Sequence, residues 1–164
     1  MTAPLLIFAY GNPSRGDDAL GPLLLERLEA LDIPGAELLT DFQLQVEHAI
    51  DLQGRERVLF IDACVSCPPP FAFSRLAPAK DSSFTSHAMS PAAVLQACLE
   101  LYGEVPPAWL LAVRGEHFEL GEPLSPAAAA NLEAAFILLQ KLCFSGGKEA
   151  WDMAESPSAI ICRV

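Results

Sequence analysis

Two adjacent aspartates, Asp17 and Asp18, follow a glycine-bounded turn in the stretch LIFAYGNPSRGDDALG, Leu6 to Gly21. A third, Asp62, closes the apolar run VLFID, and His87 stands in FTSHAMSP, just ahead of a Ser-Pro pair. Carboxylate oxygen and imidazole nitrogen together suit borderline divalent ions such as zinc, nickel, cobalt, manganese or iron. The same groups serve as general acids and bases. The turn is not a phosphate loop. Gly11-Asn12-Pro13-Ser14-Arg15-Gly16-Asp17-Asp18 matches neither G-x-G-x-x-G nor the Walker pattern. Two carboxylates at a helix mouth also repel the anion that such a mouth would otherwise hold.

Each residue has a plainer role to weigh. An aspartate in a first helical turn satisfies free amides and complements the macrodipole, which is the expectation for Asp17. A second in succession is not needed for that, so Asp18 is the stronger candidate for chemistry. A strand-end carboxylate buried alone costs several kcal/mol, so Asp62 requires a partner, a cation or a turn to cap. A lone loop histidine is more often structural than catalytic. His48, beside Glu47 in a predicted helix, is weaker than His87, and His117 in RGEHFELG is held in reserve. Cys64 and Cys67 form one C-x-x-C, followed by three prolines. A structural zinc site wants four ligands, and a redox pair normally opens a helix. Thiols without chemistry are therefore expected there, with Cys64 as a nucleophile and His87 as its base left open. Neither G-x-S-x-G nor H-E-x-x-H occurs.

Positioning these groups falls to a regular alternation of elements. Apolar runs predict strands at 5–10, 36–40 and 57–63, an edge strand at 71–76 and a strand at 108–113. Leucines at helical spacing predict a helix over 20–31, and a short one is expected at 46–52. Ser90-Pro91 and Ser125-Pro126 open helices running to about 101 and 142, with serine as N-cap and proline at the first position. Strands alternating with helices predict an α/β fold: a three-layer sandwich around a twisted, mostly parallel sheet with helices on both faces. In such sheets ligands bind beyond the carboxyl ends of the strands, which is where Asp18, Asp62 and the helix-entry loops fall. One domain over 1–144 is expected, with 145–164 as a tail that is loosely ordered or packed on the surface.

Bulk properties agree with an acidic globular chain. Its 164 residues carry a formal charge of −11, which argues against nucleic acid or an anionic membrane as partner. The N-terminus shows no basic region with a cleavage site, and no apolar stretch approaches a membrane span. Five scattered cysteines, an odd number, point to reduced thiols and a cytoplasmic location.

Taken in order, four stretches resemble the NiFe-hydrogenase maturation endopeptidases. GNPSRGDDALG is similar to the family's opening turn, VLFIDACVS to its central strand, TSHAMSPAAVL to its histidine loop, and VRGEHFELGEPLSPAA to its last-strand turn. The resemblance spans roughly residues 5–142. It implies an enzyme that trims the C-terminal extension of a hydrogenase large-subunit precursor after nickel insertion. It also implies that Asp18, Asp62 and His87 contact that nickel, which the precursor supplies, so the free protein is expected to be metal-free. Nickel would polarise the scissile carbonyl or acidify an attacking water. A carboxylate not tied to metal could be the general base, with Asp17 a weak candidate. Pro13-Ser14 stands where an aliphatic pair is usual, and DFQLQVEHAIDL replaces a common Gly-Gly-Thr segment. That difference marks a subgroup with another hydrogenase partner, where Asp41 and Gln45 could contribute to recognition. The acidic surface would suit a basic patch near the precursor's C-terminus. Two other classes are weighed beside this one: a conventional zinc hydrolase and a metal-binding assembly factor without proteolytic activity.

Overall fold

The computed structural model describes residues 2–81, 89–145 and 147–155. Five strands build the sheet: β1 (Leu5–Tyr10), β2 (Ala36–Asp41), β3 (Arg57–Cys64), β4 (Phe71–Leu76) and β5 (Ala108–Arg114). Among the described residues five α-helices flank it: α1 (Leu20–Glu29), α2 (Ala49–Leu52), α3 (Pro91–Tyr102), α4 (Pro126–Ser145) and α5 (Lys148–Met153). Short 3-10 turns at Gly16–Ala19 and Val46–His48 lead into α1 and α2.

Strand order is β2-β1-β3-β5-β4, with only the edge strand β4 antiparallel to its neighbour. The three central strands are apolar on both faces because both faces are covered. On one face Ile7, Leu59, Ile61, Leu111 and Val113 meet α1 and α4. On the other, Leu6, Phe8, Val58, Phe60 and Leu110 meet α2 and α3. Each such side chain contributes roughly 1.5–3 kcal/mol by leaving water. The α/β sandwich read from the alternation is the observed architecture.

Both Ser-Pro starts cap as expected: the Ser90 hydroxyl accepts from the Ala93 amide at 3.1 Å, and Ser125 does the same for Ala128 at 3.2 Å. Helix α1 is shorter than its leucine pattern, ending at Glu29, and its first turn tightens into 3-10 geometry. The stretch set apart as a tail contains α5, whose Trp151 is fully buried. Its ring meets Trp109 edge-on at 5.1 Å and Phe73 at 6.2 Å, and its indole N–H donates to the Leu142 carbonyl. That part packs into the domain's core, and residues 156–164 lie outside the described ones. Among the described residues one helix, Pro126–Phe144, is long and apolar enough to cross a membrane. Here its Leu132, Ala135 and Leu139 pack on the sheet.

Candidate active site at the carboxyl edge of the sheet

Chain direction changes sharply after β1. Gly11 takes φ +148°, and a Cβ there would stand 2.2 Å from the Asp18 carbonyl oxygen, so no other residue fits. The loop 12–15 then carries the chain over the sheet edge into the 3-10 turn bearing both aspartates. One turn further, Gly21 lets α1 lie against the ends of β1 and β3. A Cβ would come within 2.9 Å of the Tyr10 carbonyl and 3.2 Å of that of Ile61. This close approach brings the start of α1 down onto the strand ends.

Asp18 is half-buried, and its Oδ2 accepts from the Asn12 amide at 2.7 Å. Asp62 belongs to β3, opposite Ala112 of β5, and its Oδ1 accepts from the Ala63 amide at 2.8 Å. Burial, followed by the charge of Asp18, pushes the Asp62 carboxyl up to about 8, against the pull of its two hydrogen-bond donors, the Ala63 amide and the Tyr10 hydroxyl. The structure thus places two carboxylates of distant chain segments within electrostatic reach of each other. Like charges held this way disfavour joint ionisation until a cation or proton arrives. Two neighbouring carboxylates at the strand ends are groups that suit a divalent cation. Among the described residues alone, no group of three His, Cys, Asp or Glu is placed to hold a metal. His87 lies outside the described residues. Two residues on, the Met89 amide donates to the Leu44 carbonyl at 3.3 Å, and Met89 packs on the α2–α3 face of the sheet.

Asp17 differs from its expected role. It does not cap its own helix. Fully buried, it accepts from the amides of Glu116, His117 and Ser125 at 2.7, 3.0 and 2.7 Å, and from the Ser125 hydroxyl at 2.7 Å. Burial pushes its carboxyl up, but those four bonds outweigh burial and hold it below the ordinary value. Asp17 therefore ties the turn after β1 to the loop after β5 and to the start of α4. So bonded, and with no exposure to solvent, it is not a general base.

The other candidates sort by geometry. His117 offers the loop its backbone, with its carbonyl accepting from the Asp17 amide at 2.7 Å, while its side chain is exposed. His48 accepts from the Gln45 amide at Nδ1 (2.8 Å), which leaves Nε2 to donate to Asp41 Oδ2 at 3.2 Å. Its ring rests edge-on against Phe8, 4.7 Å away, so imidazole and carboxylate are held as a unit. Asp41 in turn lines a cleft of about 510 Å³ that Asp18 borders, with Asn12, Arg15, Phe42 and Gln45 in its walls. A second hollow of about 570 Å³ lies between α1 and α4 and includes none of these carboxylates. Cys67 and Cys98 are buried free thiols, and Cys143 is free and half-buried. The Cys64 sulfur accepts from the Cys67 amide at 3.1 Å.

One group at the site escapes the sequence reading. Tyr10, the last residue of β1, is almost fully buried and hydrogen-bonds Asp62. Burial above all, then Asp62, raises its hydroxyl well above the ordinary phenol value. The available signal was a single polar group ending an otherwise apolar strand.

No protein-family model and no curated protein sequence matches the chain. Solved structures do. The hydrogenase maturating endopeptidase HybD from E. coli is 27% identical with a TM-score of 0.65, over 84% of this chain and 91% of that one. An endopeptidase from E. coli solved in solution is 25% identical, with a TM-score of 0.66 over 84% and 91%. The NiFe-hydrogenase maturation protease HycI from Thermococcus kodakarensis shares the fold at 23% identity, with a TM-score of 0.67 over 86% and 92%. Fold and neighbours together support a protease role. Over most of its length the chain is similar to hydrogenase maturation endopeptidases of known structure.

Proposed function

We propose that the protein removes the C-terminal extension of a NiFe-hydrogenase large-subunit precursor once nickel is in place, and that it reads the nickel directly. Asp18, Asp62 and His87 are the ligating set. The observation that carries this is the pairing of Asp18 with a buried Asp62 at the sheet edge, where burial first and the charge of Asp18 second push the Asp62 carboxyl up to about 8. A divalent ion arriving with the substrate removes that conflict, and its binding energy then orients the scissile peptide against the edge. Nickel on the precursor polarises the carbonyl or acidifies the attacking water. His87 enters through the resemblance of TSHAMSPAAVL to the family's histidine loop.

The cleft beside Asp18 is the natural seat for the precursor chain near the cut. The pairing of His48 with Asp41 keeps one of its carboxylates oriented in advance. Reaction in the cytoplasm, before the large subunit is assembled, accords with a substrate that is still a precursor.

Intact-mass spectrometry of purified precursor, nickel-loaded and nickel-free, tests this reading. Loss of the extension from the nickel-loaded form alone is the expected result. Equal trimming of both forms would point to a conventional zinc hydrolase, and binding without trimming to an assembly factor.

A further inference from the structure

Strands β1 and β3 run parallel with Phe8 opposite Phe60, their rings 6.3 Å apart on one face of the sheet. Side chains return to the same face every second residue, so the next pair along that face is Tyr10 and Asp62. Tyr10 is 8% exposed, with its ring in the cluster that also holds Phe8, Phe60 and Leu44. Its hydroxyl reaches the Asp62 carboxyl, whose Oδ1 already accepts from the Ala63 amide at 2.8 Å.

We propose that Tyr10 is a positioning residue: its buried hydroxyl fixes the Asp62 carboxylate on the side of the sheet edge that Asp18 faces. This rests on the proposed role of Asp62 toward the substrate's nickel. Two donors from rigid backbone and packed core define the carboxylate's rotamer before the substrate arrives, so no freedom is lost on binding. A neutral phenol supports negative charge on Asp62 without competing for the incoming cation, as a lysine would. It also offsets, in part, the burial and like charge that oppose ionisation there.

The test is kinetic, with nickel-loaded precursor as substrate. Tyr10→Phe keeps the packed ring and removes only the hydroxyl. Its kcat should fall about tenfold, the effect of one hydrogen bond to a charged group, with KM within about twofold and little change in melting temperature. Val58→Ala, on the same core face and away from the site, should lower the melting temperature and leave kcat alone at temperatures where the variant is folded. Asp62→Ala should abolish trimming. Wild-type kcat in Tyr10→Phe beside an inactive Asp62→Ala would overturn the inference and leave the functional reading standing. So would a Tyr10→Phe variant that loses activity only through instability. Full trimming by Asp62→Ala would overturn both.

Discussion

Asp17 and Asp18 are chain neighbours with opposite duties. Asp17 sits among four donors, while buried Asp62 lies near the charge of Asp18, so pH acts on the Asp17 and Asp62 carboxyls in opposite directions. The Asp17 carboxyl lies below its ordinary value when folded. The stability it contributes is therefore full above the unfolded value and is lost as the pH falls through the folded one. Asp62 is raised to about 8, so between about pH 4 and 8 the folded chain holds a proton that the unfolded chain has released. Stability then falls with rising pH by about 1.4 kcal/mol per unit from this group. Urea titrations across that range should show Asp62→Asn removing the slope and gaining stability at pH 8. An unchanged slope would place the titration elsewhere. Asp17→Ala should cost roughly 3 kcal/mol or more in the same assay, because it strands buried amides of the loop after β5. At this scale the sequence shows which residue types could meet a cation, since a doubled acid and a strand-end acid both ask for a partner. It does not show that Asp17 serves another loop, because that bond joins residues 99 to 108 positions apart. Tyr10 is hidden for a related reason: its hydroxyl matters only through the strand beside it.

Elements hold these residues by close backbone approach rather than by long loops. Gly11 passes against the Asp18 carbonyl, and Gly21 seats α1 on the ends of β1 and β3. Gly11→Ala meets both a 2.2 Å overlap and a φ of +148°. The expected outcome is a loss on the order of 2 kcal/mol or more by denaturant titration, together with loss of trimming, because relief of the overlap displaces Asp18. Retention of full activity would show that the turn tolerates another path. Strands β1, β3 and β5 were legible because burial on both faces makes a continuous apolar run, and α3 and α4 because Ser-Pro is a strong start signal. The 3-10 turns at 16–19 and 46–48 were not, since they arise from tertiary anchoring and leave no periodicity. The segment 41–48 shows the same limit: its chemistry comes from His48 capping Gln45 and turning to Asp41.

For the whole molecule, two apolar layers clamp one sheet and leave a single carboxyl edge for chemistry. Alternating strands and helices announce that plan, which is why the fold class is readable from the chain. Helix α5 is the exception, because six residues after a glycine pair carry little pattern and are held by one buried indole. Trp151→Ala should cost about 3–5 kcal/mol, seen as a lower denaturant midpoint, by emptying the space beside Trp109 and Phe73. A cost below 1 kcal/mol would show that the helix is not part of the cooperative core. The neighbours of known structure keep the sheet and helices at about a quarter sequence identity, so the architecture tolerates wide change provided its layers stay apolar. The central claim is that the edge of this sheet ligates nickel carried by another protein. X-ray absorption at the nickel edge, on a cleavage-resistant precursor with and without the protein, tests it most directly. Added oxygen and nitrogen neighbours at ligand distance, absent with an Asp18→Ala, Asp62→Ala variant, are the predicted result. A nickel coordination sphere unchanged by the bound protein would contradict it.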